Sequence, residues 1–175
     1  MTAERPALGL RQASLSLTEY DPRWAELFAK EAALIAQALP DVQFDIDHIG
    51  STSVPGLTAK PILDIAMRST HEEQIATALA KLGYIDRGIR SGRLFIRLRD
   101  GDIRTHNLHL YHPDDADCRD QIAFRDALRG NPKLRHQYEH LKQTLVEEEL
   151  GDQGRGSYAG RKTEFVRAVI DAQNK

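Results

Sequence analysis

The segment from His48 to Asp64 reads His-Ile-Gly-Ser-Thr-Ser-Val-Pro-Gly-Leu-Thr-Ala-Lys-Pro-Ile-Leu-Asp, and it gathers residue types suited to holding phosphate. Glycine at position 50 lets the backbone approach an anion closely. Backbone N–H groups and the hydroxyls of Ser51 and Thr52 can bond phosphate oxygens, the more so where a helical turn begins. Lys60 adds a positive charge. Asp64 interrupts the apolar run Pro61–Arg68, and a carboxylate in such a strand needs a partner. A divalent metal, Mg²⁺ or another, bridging Asp64 to phosphates is one such partner.

Periodicity extends the set. Strand alternation places Asp64 and Ala66 on one face and Leu63, Ile65 and Met67 on the other. On a later strand Asn107 and His109 share a face, opposite Leu108 and Leu110. His109 can ligate a metal as neutral imidazole or act as a base. Asp64 and His109 are therefore the candidate catalytic and metal-ligating pair. His106 points away from His109 and makes a poor chelate partner for it; His48 and Asn107 are further positions to watch. Toward the C-terminus, Arg125 and Arg129, Tyr138 and Lys142, and Tyr158 and Lys162 are each spaced i, i+4 on helices. The Tyr-plus-Lys pairs can stack on a base and hold phosphates; Arg129 and Tyr138 are further candidate positions. Each feature also has a plainer explanation. A Gly-Ser-Thr turn is usually only a turn, a strand aspartate is more often salt-bridged than metal-bound, and either histidine can simply be hydrogen-bonded. Basic and aromatic residues at i, i+4 commonly form a solvated or packed face.

The elements that must position these groups are legible. Asp21-Pro22 opens a helix, with Asp as N-cap and Pro at the first helical position, and Pro40 ends it. Val42–Ile49 and Pro61–Arg68 read as strands, the second interior to a sheet because it is nearly all apolar. Thr70 and Glu73 form a T-x-x-E capping box for a helix that closes at Gly83. Asp100-Gly101 joins Leu94–Arg99 and Asp102–Tyr111 as a hairpin. Helices follow: about Asp115–Arg129, one from Asn131-Pro132, and a last one with Phe165, Val166, Val169 and Ile170 as its stripe. The expected fold is α+β, a small mixed sheet with flanking helices and a C-terminal helical part. One domain is expected at 15–175, with the sheet core at 20–112 and the helical part at 113–173, after a loose leader at 1–14.

Composition narrows the function classes. The 175 residues carry 24 Lys+Arg against 26 Asp+Glu, a net charge of −2, where a general nucleic-acid binder is usually basic. Cys118 is the single cysteine, so no internal disulfide forms and a reducing, cytoplasmic setting is expected. No N-terminal signal and no run near ~18 apolar residues is present, so no membrane partner is expected. Arg87–Arg104 holds six Arg and two Asp, a charged hairpin edge guarded against aggregation or, alternatively, a contact surface for RNA phosphates.

The chain resembles the GrpB family of the nucleotidyltransferase superfamily, a domain that also occurs fused to dephospho-CoA kinase. The likeness runs from about Leu17 to Ile170. It is carried by Tyr20-Asp-Pro-Arg-Trp24, the His48–Asp64 signature, Leu82-Gly-Tyr84, Thr105-His-Asn-Leu-His109, Phe124–Arg129, Leu141-Lys142, and Tyr158 with Lys162–Phe165. It implies a nucleotidyltransferase-like core followed by helices, and it brings Lys142, Tyr158 and Lys162 forward as pocket residues. In that superfamily a Gly-Ser turn precedes an acidic–x–acidic strand and a further acidic strand position. Gly50-Ser51 and Asp64 match; Ala66 stands at the second acidic position, and Asn107 and His109 on the later strand are not acidic. Ser53 replaces the usual Ala, and Gly151–Gly156 is longer and richer in Gly than usual.

Two functions follow as expectations. The first is metal-dependent transfer of a nucleotidyl group from an NTP, ATP for preference, to a small-molecule acceptor, or nucleotide-dependent activation of one. Gly50 and Ser51 would hold the phosphates, Asp64 and His109 a divalent metal, and Lys60, Arg125, Lys142 and Lys162 further phosphate oxygens. The alternative is a degenerate, non-catalytic module that senses a nucleotide or coenzyme. An RNA-modifying or RNA-binding role is the least expected.

Overall fold

A computed structural model of the chain describes residues 6–11, 14–150 and 157–173, with the side chains of 149, 150, 157–159 and 173 left aside. The elements run β1 (Leu10–Arg11), α1 (Arg23–Ala38), β2 (Asp45–Ile49), β3 (Leu63–Arg68), α2 (Glu72–Lys81), β4 (Tyr84–Arg90), β5 (Gly92–Arg99), β6 (Ile103–Tyr111), α3 (Ala116–Gly130), α4 (Pro132–Leu150) and α5 (Ser157–Gln173). The strands form one mixed sheet in the order β2-β3-β6-β5-β4, with β1 also pairing β6. Only β3 and β6 run parallel, aligning Asp64 with Asn107 and Ala66 with His109. The α+β architecture expected from the sequence is what the chain adopts.

Alternation sorts the two sheet faces. Leu63, Ile65, Met67 and Leu108 point into a core with Trp24 and Ile35 of α1 and Ile75 and Leu79 of α2. On the opposite face Ile49, Ala66 and Tyr111 meet Cys118 of α3. A second core ties Val54 and Leu57 of the β2–β3 loop to Phe124 and Leu128 of α3, Tyr138 of α4 and Val169 of α5. The loop is thus the apolar seam between the sheet and the C-terminal helices.

Local signals set most element ends. Asp21 accepts the Arg23 backbone N–H at 2.9 Å, and Asn131 accepts that of Leu134 at 3.0 Å with Pro132 opening α4. Gly83 (φ 84°) ends α2, and Asp100 and Gly101 (φ 53° and 81°) turn the hairpin. Three expectations change. The Thr70–Glu73 capping box does not form: Ser69 Oγ accepts the His71 N–H, while Glu73 is drawn to Arg93 at 2.9 Å. Residues 6–11 are not a loose leader, because Ala7 accepts the Trp24 indole N–H, Leu8 is buried and β1 pairs β6. An extra edge strand, β4, precedes the expected hairpin. Its apolar Ile85 and Ile89 are exposed and it bulges between Asp86 and Ile89, so it carries no alternating signal.

One buried polar knot braces the α1 face. Glu31, only 3% exposed, takes both Arg97 guanidinium arms at 2.8 and 2.6 Å and the Tyr84 hydroxyl at 2.8 Å. Removing one partner of such a group strands the others. Glu31→Ala is expected to cost about 3 kcal/mol in urea unfolding, more than Glu31→Gln, which keeps two acceptor contacts.

Candidate functional site

The β2–β3 loop begins with a conformation only glycine adopts readily. Gly50 has φ 68° and ψ −174°, and a Cβ there would lie 2.5 Å from Asp64 Oδ2. The strands therefore close onto each other at this residue, with Ile49 opposite Asp64 in register. A 3₁₀ turn over Ser51–Ser53 follows, its Ser53 Oγ bonded to the Gly50 carbonyl at 2.6 Å. Asp64 Oδ1 accepts from Asn107 Nδ2 at 2.8 Å. Asp64 makes no ion pair among the described residues, so the salt bridge that would account for it in plain structural terms is absent there.

These groups open onto a cleft of about 540 Å³ between the sheet and the three C-terminal helices. Gly50, Ser51, Lys60 and Asp64 form one wall. Lys162 and Arg167 of α5 line the same cleft, as does Lys142 of α4, which sits against the loop itself. Phe124, Leu128, Val166 and Ile170 supply an apolar flank, and Ser91, Asp117 and Asp120 an acidic and hydroxyl-bearing end. A cleft of this size, mixing apolar surface with a few polar groups, is the usual form of a small-molecule site.

Not every candidate reaches it. His48 stacks on Phe28 and donates from Nε2 to Thr52 Oγ1 at 2.9 Å, since the Thr52 hydroxyl itself donates to the Ile62 carbonyl. Both side chains lie under the loop, not in the cleft. Burial and the Arg129 and Arg125 charges push the His48 pKa down to about 4. His106 accepts from Arg97 at 3.0 Å, and burial and that charge push its pKa down to about 3. It belongs to the Glu31 knot. Arg125 lines the cleft, yet its N–H groups go to Asp47, the His48 carbonyl and Asp126. Arg129 gives two N–H groups to the Ser53 carbonyl at 2.9 and 2.7 Å. The two arginines hold the loop against α3 as structural clasps; Arg125 was expected at phosphate, and Arg129 only as a further candidate position. Tyr138 is packed against Phe124 and Phe165 and borders the cleft only from within the core. The Tyr158 side chain lies outside the described residues.

Lys142 is the least ordinary member. It is 2% exposed, it donates to the Thr58 carbonyl, and its Nζ lies 3.2 Å from Ser51 Oγ and 5.0 Å from the Tyr138 ring centre. Burial, with the Lys162 charge adding to it, pushes its pKa down to about 7. Glu139, one turn away, accepts the Thr58 N–H at 3.1 Å. Both polar groups of the Thr58 peptide are thus held by α4. Lys142 acts on the cleft through Ser51 and does not project freely into it.

The donor set around Asp64 is sparse for a metal. His109 directs Nδ1–H to the Ser91 carbonyl at 2.7 Å and stacks on Tyr111. It sits two positions beyond Asp64 on the neighbouring strand, about 8 Å Cα to Cα by strand geometry, and does not line the cleft. Among the described residues no three His, Cys, Asp or Glu converge as a cage. The residues do not fit an Asp64–His109 centre or a two-metal pair. They fit one Mg²⁺ that keeps water and phosphate ligands: Asp64 is a single carboxyl, and beside it Asn107 Oδ1 is buried without a hydrogen-bond partner.

The chain belongs to the GrpB family, whose profile (GrpB protein) matches residues 14–172. It is 37% identical to a UPF0157 protein of Halalkalibacterium halodurans over 93% of this chain and 84% of that one. It is 29% identical to the glutamate-rich protein GrpB of Alkalihalophilus pseudofirmus over 94% and 98%. Its fold is similar to that of the conserved protein GrpB from Enterococcus faecalis, with a TM-score of 0.76 at 28% identity, covering 91% of this chain and all of the other. A partial likeness, TM-score 0.49 at 12% identity over 75% and 41%, extends to Cid1 solved with its short product ApU. Among the described residues no helix is long and apolar enough to cross a membrane.

Two substitutions report on this geometry. Gly50→Ala meets both positive φ and the Asp64 carboxyl, and is expected to cost about 2–5 kcal/mol in urea unfolding. Lys142→Met removes a buried amine whose folded pKa of about 7 lies below the unfolded value, ~10.4. The unfolded chain then binds the extra proton between those values, so the penalty of burying Lys142 is full below pH 7 and fades as pH rises toward 10. Wild type is expected to gain on Lys142→Met by about 1 kcal/mol per pH unit from 7.5 to 9.5, read from paired denaturation curves.

Proposed function

We propose that this protein binds a nucleotide in the cleft, phosphates toward Ser51, Lys60, Lys162 and Arg167 and base toward Phe124, Leu128 and Val166. The observation that carries the reading is that the Gly50-Ser51 turn and Asp64 line one cleft together with the α5 cations Lys162 and Arg167 and the apolar Phe124, Leu128 and Val166. Cations hold phosphate oxygens by charge-assisted hydrogen bonds, while the base buries against the flank. A single Mg²⁺ arriving with the nucleotide would be held by Asp64 and would neutralise phosphate charge there. Gly50 keeps the loop backbone close enough for Ser51 to reach the ligand, and the Arg125 and Arg129 clasps keep that loop from moving away.

Two uses of a bound nucleotide are compatible with the cleft. One is transfer of a nucleotidyl group to a small acceptor seated near Ser91, Asp117 and Asp120, or activation of that acceptor. The other is sensing without turnover, which Ala66 and the lone carboxyl favour, because two-metal phosphoryl chemistry draws on several carboxylates. Calorimetric titration with each Mg-NTP is expected to give saturable heat for at least one, weakened about tenfold or more by Lys162→Ala. No heat and no thermal shift with any nucleotide at millimolar concentration would overturn the reading. Pyrophosphate release lost in Asp64→Asn identifies transfer; binding without release in wild type identifies the sensor.

A further inference from the structure

We propose that Ser51 is a nucleophile and Lys142 its general base, directed at electrophilic phosphorus held in the cleft. The inference shares the cleft with the nucleotide reading and deepens it, since a phosphoric anhydride is the natural electrophile there.

The geometry is that of a serine–lysine pair. Lys142 Nζ and Ser51 Oγ are 3.2 Å apart, within reach for proton transfer. Ser51 and Lys142 both line the cleft, Ser51 half-buried and Lys142 the more enclosed, so the hydroxyl is the more accessible atom of the pair, as a nucleophile beside its base should be. Two contacts fix the amine: the Thr58 carbonyl takes one N–H, and Ser51 occupies another direction. As an ammonium, Lys142 donates to both. As a neutral amine it keeps the Thr58 bond and offers its lone pair to the Ser51 hydroxyl. The same arrangement therefore serves both protonation states without rearrangement. No carboxylate forms an ion pair with Lys142 among the described residues; the charged groups around it are Lys162 from α5 and Glu139 on its own helix, the latter engaged by Thr58. A pKa near 7 makes the neutral amine available at physiological pH, where an ordinary lysine at ~10.4 is not. Gly50 and the 3₁₀ turn hold Ser51 in place, and the Ser51 carbonyl accepts the Val54 N–H at 3.2 Å.

ATP supplies the electrophile in its terminal phosphate. Ser51 Oγ forms a bond to the terminal phosphorus, the bond from that phosphorus to the bridging oxygen breaks, ADP leaves with that oxygen, and the hydroxyl proton passes to Lys142. The product is phosphoserine at position 51. No redox partner is needed.

The test uses a fluorophosphonate probe on the full chain, read by peptide mass spectrometry from pH 6 to 9. One adduct on Ser51 is expected, absent in Ser51→Ala. Its rate should rise about tenfold from pH 6 to 8 with a midpoint near 7. Lys142→Arg, which keeps the charge and cannot act as a base, should slow it about a hundredfold or more. No adduct on Ser51, a flat pH profile, or Lys142→Arg labelling at the wild-type rate would each overturn the pair. Should Lys142→Arg fail to melt cooperatively, the wild-type profile and Ser51→Ala decide alone. Nucleotide heat without probe labelling sinks the nucleophile and leaves the nucleotide reading standing; labelling without nucleotide heat does the reverse.

Discussion

Everything in the cleft rests on how closely Gly50 approaches Asp64. The carboxyl occupies the space where any other residue would carry a Cβ. That contact sets the path of the loop leaving β2 and fixes which way Ser51 faces. Asn107 on the parallel neighbour β6 then pins the carboxyl from the other side. Three strands thus converge on one acidic side chain, and the turn above it has almost no freedom to choose another course.

The loop's far side is held by the helices. Arg125 reaches the His48 carbonyl, Arg129 takes the Ser53 carbonyl, and Glu139 and Lys142 take both groups of the Thr58 peptide. Val54 and Leu57 bury among the same helices. A loop normally leaves its backbone groups to water; here side chains from α3 and α4 satisfy them. The cleft exists because the C-terminal helices close over a segment that belongs to the sheet, so neither half of the chain builds it alone.

Much of this was visible in the residues themselves. The alternation of Leu63, Ile65 and Met67 against Asp64 and Ala66 assigned the sheet faces, and Asn107 and His109 fell on the face of Asp64 for the same reason. Helix ends at Asp21, Gly83 and Asn131 were legible because capping is a local hydrogen bond. The edge strand β4 was not, since an exposed strand with a bulge has no core face to impose alternation. Ser91 and Arg167 gave no signal at all; their place in the cleft comes from chain reversal and helix packing. Asp117, Gln121, Phe124 and Leu128, by contrast, share one helix face and were open to being read as a lining stripe.

The sequence alone determined the element order, the sheet faces, and a Gly-Ser turn set before a lone carboxyl, because propensity, capping and period act over a few residues. Only the tertiary structure decided what each cation does. Arg125 lines the cleft just as Lys162 does, yet Arg125 and Arg129 are engaged by backbone carbonyls and aspartates of β2, the loop and α3. Burial, with the Lys162 charge adding to it, pushes the Lys142 pKa down to about 7 beside Ser51. Charge is written in the residue; desolvation and partner geometry, which set what that charge can do, arise only when distant segments pack together.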